Sequence, residues 1–183
     1  MARGFKPDFL DAYYNMGVAY GCMEENGIDA LHKAVWVFKK SIDLNPQFIH
    51  AYTALGASYI KQGETEEAIA VLNRAEGVCP KDSNVYFYLG IASRIKAQRK
   101  EAVKYLKKAV VLKPDSVQVQ FYLGLSLMDA KLYDDACLAF REVIRIKPDF
   151  ADGHMMLGNL YRENIPEPEK AIYHLKRAEK LFV

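Results

Sequence analysis

Apolar residues recur along the chain at intervals of three and four, the period of a helix with one buried face. In Ala51-Tyr52-Thr53-Ala54-Leu55-Gly56-Ala57-Ser58-Tyr59, the side chains of Tyr52, Leu55 and Tyr59 share one face. Gly63 then marks a turn. A second amphipathic stretch places Ala68, Leu72 and Ala75 on one face, so the segment reads as a helical hairpin. The unit recurs. Gly17, Gly56, Gly90, Gly124 and Gly158 each follow a proline by ten residues, namely Pro7, Pro46, Pro80, Pro114 and Pro148. From Gly56 onward both marks repeat every 34 residues. Ala34, Ala68, Ala102, Ala136 and Ala171 mark the second helix of each unit. A glycine inside a helix costs roughly 1 kcal/mol relative to alanine. Its recurrence at one register position therefore predicts a helix–helix contact too tight for a side chain. Proline cannot continue a helix and closes each unit. A single hairpin cannot bury its apolar face alone, so the units stack.

These residues resemble the tetratricopeptide repeat. Its pattern of an aromatic, Leu-Gly, Tyr, then Ala, Phe or Leu, Ala and Pro is matched in the second copy by Tyr52, Leu55-Gly56, Tyr59, Ala68, Leu72, Ala75 and Pro80. The other copies depart at one or two positions. Ser93 replaces the tyrosine of the third, Gln120 and Val143 depart in the fourth, and His154 takes the aromatic position of the fifth. The resemblance implies an all-α, right-handed α-solenoid forming one domain. Its five hairpins fall at approximately 10–48, 49–82, 83–116, 117–150 and 151–183. Five extra residues around Glu24-Glu25-Asn26-Gly27-Ile28-Asp29-Ala30 predict a longer loop or a longer second helix in the first copy. Pro7 holds a unit-closing position, and the chain stops on Leu181-Phe182-Val183 without a polar capping helix. The array accordingly reads as a fragment, or as one covered at an end by another chain.

Composition narrows the function. A net charge of +2 supplies no general attraction to nucleic acid or anionic membrane. The start of the chain lacks the apolar core of a signal peptide, and no apolar run is long enough to span a bilayer. Cys22, Cys79 and Cys137 lie far apart in sequence and read as reduced, buried small hydrophobes of a cytoplasmic protein. The four histidines, His32, His50, His154 and His174, are read as scattered over different repeats without metal-ligand spacing. No phosphate-binding loop, nucleophile elbow or zincin motif is present. Neither catalysis, a metal nor a cofactor is expected.

In the resembled family the first helix of each hairpin lines a concave groove. Carried over by register, its lining here is Tyr14, Phe87, Tyr88, Ile91, Phe121, Tyr122, Leu125, Met128, Met155 and Met156, an aromatic and apolar stripe strongest in the third to fifth copies. Such stripes mark interaction surfaces. The cationic clamp by which some members hold a terminal carboxylate is missing. Its positions carry Val18, Ala54, Asn84 and Tyr88, and moving the window by one or two repeats does not restore it. Only Asn15 fits the asparagine ladder of other long arrays. The expected partner is thus a protein or peptide presenting an apolar segment or amphipathic helix. Self-association into a scaffold, or service as the regulatory arm of a larger enzyme, are the alternatives. A second, basic surface is expected from Arg94, Arg99, Lys100, Lys104, Lys107 and Lys108, read as mostly solvated and not as a nucleic-acid site.

Overall fold

The structure is a computed structural model that describes residues 7–23 and 27–182; residues 1–6, 24–26 and 183 lie outside the description. Ten α-helices and no strand occur among the described residues. They pair in order as α1 (Pro7–Gly21) with α2 (Gly27–Leu44), α3 (Ile49–Gln62) with α4 (Thr65–Val78), α5 (Ser83–Ile95) with α6 (Arg99–Leu112), α7 (Val117–Asp129) with α8 (Tyr133–Ile146), and α9 (Ala151–Glu163) with α10 (Pro168–Leu181). Packing divides the chain into two compact units, Met1–Ala92 and Ser93–Val183.

In the first unit the recurring glycines meet large side chains of the following helix. A methyl group at Gly17 would sit 2.5 Å from the Phe38 ring, and one at Gly56 would sit 2.7 Å from Leu72 Cγ. The same contact repeats in the second unit, where Gly124 meets Phe140 at 2.6 Å and Gly158 meets Leu175 at 2.6 Å. Phe38, Leu72 and Phe140 are almost wholly buried. The glycine is thus what lets the two helices of a hairpin approach until one side chain fills the gap, as its recurrence predicts.

The aromatic register position has a second task. Tyr52 Oη donates to the Pro46 carbonyl at 3.1 Å, and Tyr86 Oη to the Pro80 carbonyl at 2.9 Å. The two departures from the pattern perform the same closure: Gln120 Nε2 donates to Pro114 O at 3.1 Å, and His154 Nε2 lies 3.1 Å from Pro148 O. Three side-chain types therefore satisfy one carbonyl left over at the end of the preceding helix.

The turn within the hairpin is equally periodic. Gly63, Ala97 and Lys131, spaced by 34 residues, all have positive φ, at 80°, 55° and 61°. The residue after each donates back to the carbonyl of Tyr59, Ser93 or Leu127 at 2.9 Å, a Schellman-like stop. Only glycine takes this conformation without strain. Ala97→Gly and Lys131→Gly should each stabilise the protein by about 0.5–1 kcal/mol, and Gly63→Ala should destabilise it by about 1 kcal/mol. Urea titrations of the three variants check this, and a destabilised Lys131→Gly would contradict it.

The extra length of the first hairpin shows in its second helix, while Glu24, Glu25 and Asn26 lie outside the described residues. Helix α2 spans 18 residues against 14 for each of α4, α6, α8 and α10. One expectation about the cysteines fails: only Cys137 is buried, Cys22 is exposed and Cys79 lies between. Cys22 follows the last residue of α1.

Candidate protein-binding surface

Within the second unit the expected stripe is carried by α7 and α9. The core side of α7 holds Val119, Leu123, Gly124 and Leu127. Phe121, Tyr122, Leu125 and Met128 follow the spacing of one, four and seven that makes a second helical face, and all four are half-buried. Met155 and Met156 on α9 are half-buried as well. The six are not equally available. The Phe121 ring packs edge-on against Phe140 at 5.6 Å and Phe150 at 5.4 Å between ring centres. It ties α7 and α8 to Phe150, the residue that caps α9, which makes it first of all a packing residue.

In the first unit the expected lining is more heavily occupied still. Tyr14 forms the counterpart of the Phe121 cluster, with Phe38 at 5.9 Å and Phe48 at 5.3 Å. Phe87 is only 3% exposed, so it belongs to the core and not to an open stripe. Helical register alone sets it beside the closing residue Tyr86, and neighbouring packing carries the boundary of the buried face past it. Tyr88 and Ile91 remain half-buried.

The expected basic surface is partly neutralised. Arg94, in the last turn of α5, forms an ion pair with Asp129 of α7 at 2.6 Å, and Lys107 lies 3.7 Å from Asp135 of α8. Arg99, Lys100, Lys104 and Lys108 are exposed along α6.

A cluster that sequence spacing does not reveal lies between α8, α9 and α10. His154 and His174 belong to one hairpin, not to different repeats, and their Nδ1 atoms are 3.0 Å apart. Because His154 Nε2 donates to Pro148 O, its Nδ1 carries the lone pair and His174 Nδ1–H donates to it. Burial, reinforced by the neighbouring His154 ring and the Arg141 guanidinium, holds His174 down to about 4. His174 also stacks on Tyr161 at 5.8 Å. The Tyr161 hydroxyl receives Arg141 Nη2 at 2.6 Å and Nε at 3.1 Å, and the Cys137 thiol donates to it at 3.1 Å. Burial pushes the Tyr161 phenol above its ordinary value, with the Cys137 contact adding to the shift. A charge-assisted bond of this kind contributes about 1.5–3 kcal/mol. Tyr161→Phe should therefore lower stability by about 2 kcal/mol in thermal unfolding, and an unchanged melting temperature would show the network to be solvated. The cluster is a structural one: its polar atoms are matched to one another.

Three family profiles match the chain. Two are described as tetratricopeptide repeat, over residues 37–70 and 96–149, and one as TPR repeat, over residues 56–93. The chain belongs to the tetratricopeptide repeat family. No curated protein sequence matches it. Among solved structures, this tetratricopeptide repeat protein is similar to a crystal structure of MamA, at 23% identity over 84% of this chain and 90% of that one, with a TM-score of 0.76. It is similar to MamA from Desulfovibrio magneticus RS-1 at 16% identity over 96% of both chains, with a TM-score of 0.79. It is also similar to YrrB, described as a TPR protein with an unusual peptide-binding site, at 24% identity over 92% of this chain and 84% of that one, with a TM-score of 0.71. At these identities the likeness establishes the shared helical-repeat fold. No helix among the described residues is long and apolar enough to cross a membrane.

Proposed function

We propose that this tetratricopeptide repeat protein is an interaction scaffold that holds an apolar peptide segment or an amphipathic helix against α7 and α9. The observation that carries the reading is the half-buried row of Tyr122, Leu125 and Met128 on α7, with Met155 and Met156 on α9. Flexible methionines beside an aromatic make an adaptable apolar surface of the kind that receives helices. YrrB, whose description names a peptide-binding site, supports the same class of ligand.

The test is binding of labelled amphipathic and extended apolar peptides to the full chain, compared with Leu125→Glu and Met155→Glu. Both variants should weaken capture by roughly tenfold or more, as expected for a charge placed in an interface core, with helical content unchanged. Binding that survives both variants would sink the reading. Phe121 is unsuited to this test because its ring also packs against Phe140 and Phe150. Light scattering over a range of protein concentration separates an external partner from self-association: mass that grows with concentration would place a second copy on this surface.

A further inference from the structure

At the last hairpin, a groove of about 560 Å³ is lined by Ile144 of α8, Pro148, His154 of α9, and Tyr173, Lys176, Arg177 and Lys180 of α10. The first unit has a groove of about 410 Å³ between α2, α3 and α4, in which Ile42, Ala70 and Arg74 hold the register positions of Ile144, Tyr173 and Arg177. There the charges alternate, with Lys39 and Arg74 facing Asp43 and Glu67. In the last hairpin the register partners of those two acids are Arg145 and Lys170. Neither lines the groove, whose own charged lining is Lys176, Arg177 and Lys180 with no acid among them.

Its cations are also less engaged. In the first unit Arg74 lies over the Tyr52 ring at 5.5 Å. Arg177 occupies the register position of Arg74, but His154 replaces Tyr52 and spends its two ring nitrogens on Pro148 O and His174. The nearby acids Glu142 and Glu167 are held by Arg145 and Lys170. Among the described residues, Lys176, Arg177 and Lys180 have no ion-pair partner, in contrast to Lys107 and Arg145 of the preceding second helices. Three uncompensated cations flank an apolar floor in which Tyr173 is 64% exposed.

We infer that the α8–α10 groove is a second binding site, for an acidic peptide segment that carries an aromatic or aliphatic side chain between its carboxylates. Cations held at positions one and four apart on α10 meet carboxylates spaced along a peptide, while Tyr173 and Ile144 receive the apolar residue between them. A nucleic-acid backbone needs a longer cationic track than one helical turn supplies. Inorganic phosphate would leave the apolar floor uncovered. This site is separate from the apolar row on α7 and α9 and does not depend on it.

Fluorescence anisotropy on the full chain tests the assignment. The probes are a labelled dodecapeptide of alternating glutamate and glycine with one central phenylalanine, the same peptide with lysine for glutamate, a single-stranded oligonucleotide, and inorganic phosphate as competitor. The acidic peptide should bind and the lysine peptide should not. The Lys176→Glu/Lys180→Glu variant should weaken binding by roughly tenfold or more, and raising salt from about 50 to 300 mM should act in the same direction. Tyr173→Ala should weaken it by roughly threefold or more, whereas Leu125→Glu should leave it unchanged. Failure of the acidic peptide to bind, or equal binding by the double variant, would overturn the site. Tighter binding of the oligonucleotide, or displacement of the peptide by low phosphate, would overturn the occupant. Loss of acidic-peptide binding in Leu125→Glu would overturn the separation of the two surfaces.

Discussion

Gly124→Ala destabilises the native chain and stabilises the Phe140→Ala variant. In the native hairpin the new methyl carbon would lie 2.6 Å from Phe140 Cε1, closer than carbon atoms approach without displacement. Phe140 has no room to retreat: it is fully buried, and Phe121 packs against its ring at 5.6 Å. Overpacking of this kind costs about 1–3 kcal/mol, against a gain of about 1 kcal/mol from replacing a mid-helix glycine. The expected net loss is about 1 kcal/mol, within a span of about 0–2 kcal/mol. Phe140→Ala alone should cost about 3–5 kcal/mol through lost burial and the cavity it leaves. In that background the Gly124 methyl points into empty space, so the propensity gain is realised and part of the cavity is filled. The double-mutant cycle should close with a favourable coupling of about 2–3 kcal/mol. Urea unfolding followed by circular dichroism measures all four corners, and additive losses would refute the tight-contact account of the recurring glycine.

The second large effect is acid sensitivity of the last hairpin. His174 titrates at about 4 in the folded chain against an ordinary value of 6.5, because burial and neighbouring positive charge favour its neutral form. A base depressed in the folded state contributes stability that is complete above pH 6.5. It is lost as pH falls from 6.5 toward about 4, since the unfolded chain binds the proton first. The full gap would correspond to about 3 kcal/mol, and partial solvent access of His174 reduces this to about 1–2 kcal/mol. Protonated His174 keeps its hydrogen bond to His154 Nδ1 across 3.0 Å, so the loss comes from charging a half-buried ring near Arg141. Two register equivalents supply the control. Gln120 makes the closing bond in place of His154, and Ala139 stands where His174 does. The His154→Gln/His174→Ala variant should therefore keep the Pro148 bond while flattening the stability profile between pH 6.5 and 4 by about 1–2 kcal/mol. A variant as acid-sensitive as the native chain would assign the effect to carboxylates elsewhere.

Much of this architecture follows from local rules. Helix periodicity, the glycine that admits Phe38, Leu72, Phe140 or Leu175, and the left-handed stop at Gly63 depend on residues within one hairpin. They recur in the sequence because the geometry recurs. The left-handed stops at Ala97 and Lys131 were hidden because those residue types carry no turn signal, although the 34-residue register points at both.

The charge and exposure of the surfaces have a different origin. The pairing of Arg94 with Asp129 joins residues 35 apart, and the meeting of His154 with His174 joins residues 20 apart. No periodic rule selects these partners, because each depends on how one helix is turned against the next. Phe87 was placed on the open stripe by register and is buried by packing, while Lys176, Arg177 and Lys180 stand on an amphipathic helix whose sequence does not distinguish them from other solvated lysines and arginines. The chain's own pattern decided the hairpins and their repeat because helix formation and close helix contact are short-range. Which side chains are spent on neighbours, and which are left to meet a partner, was decided only when the helices packed, because ion pairing and burial depend on positions far apart in the chain.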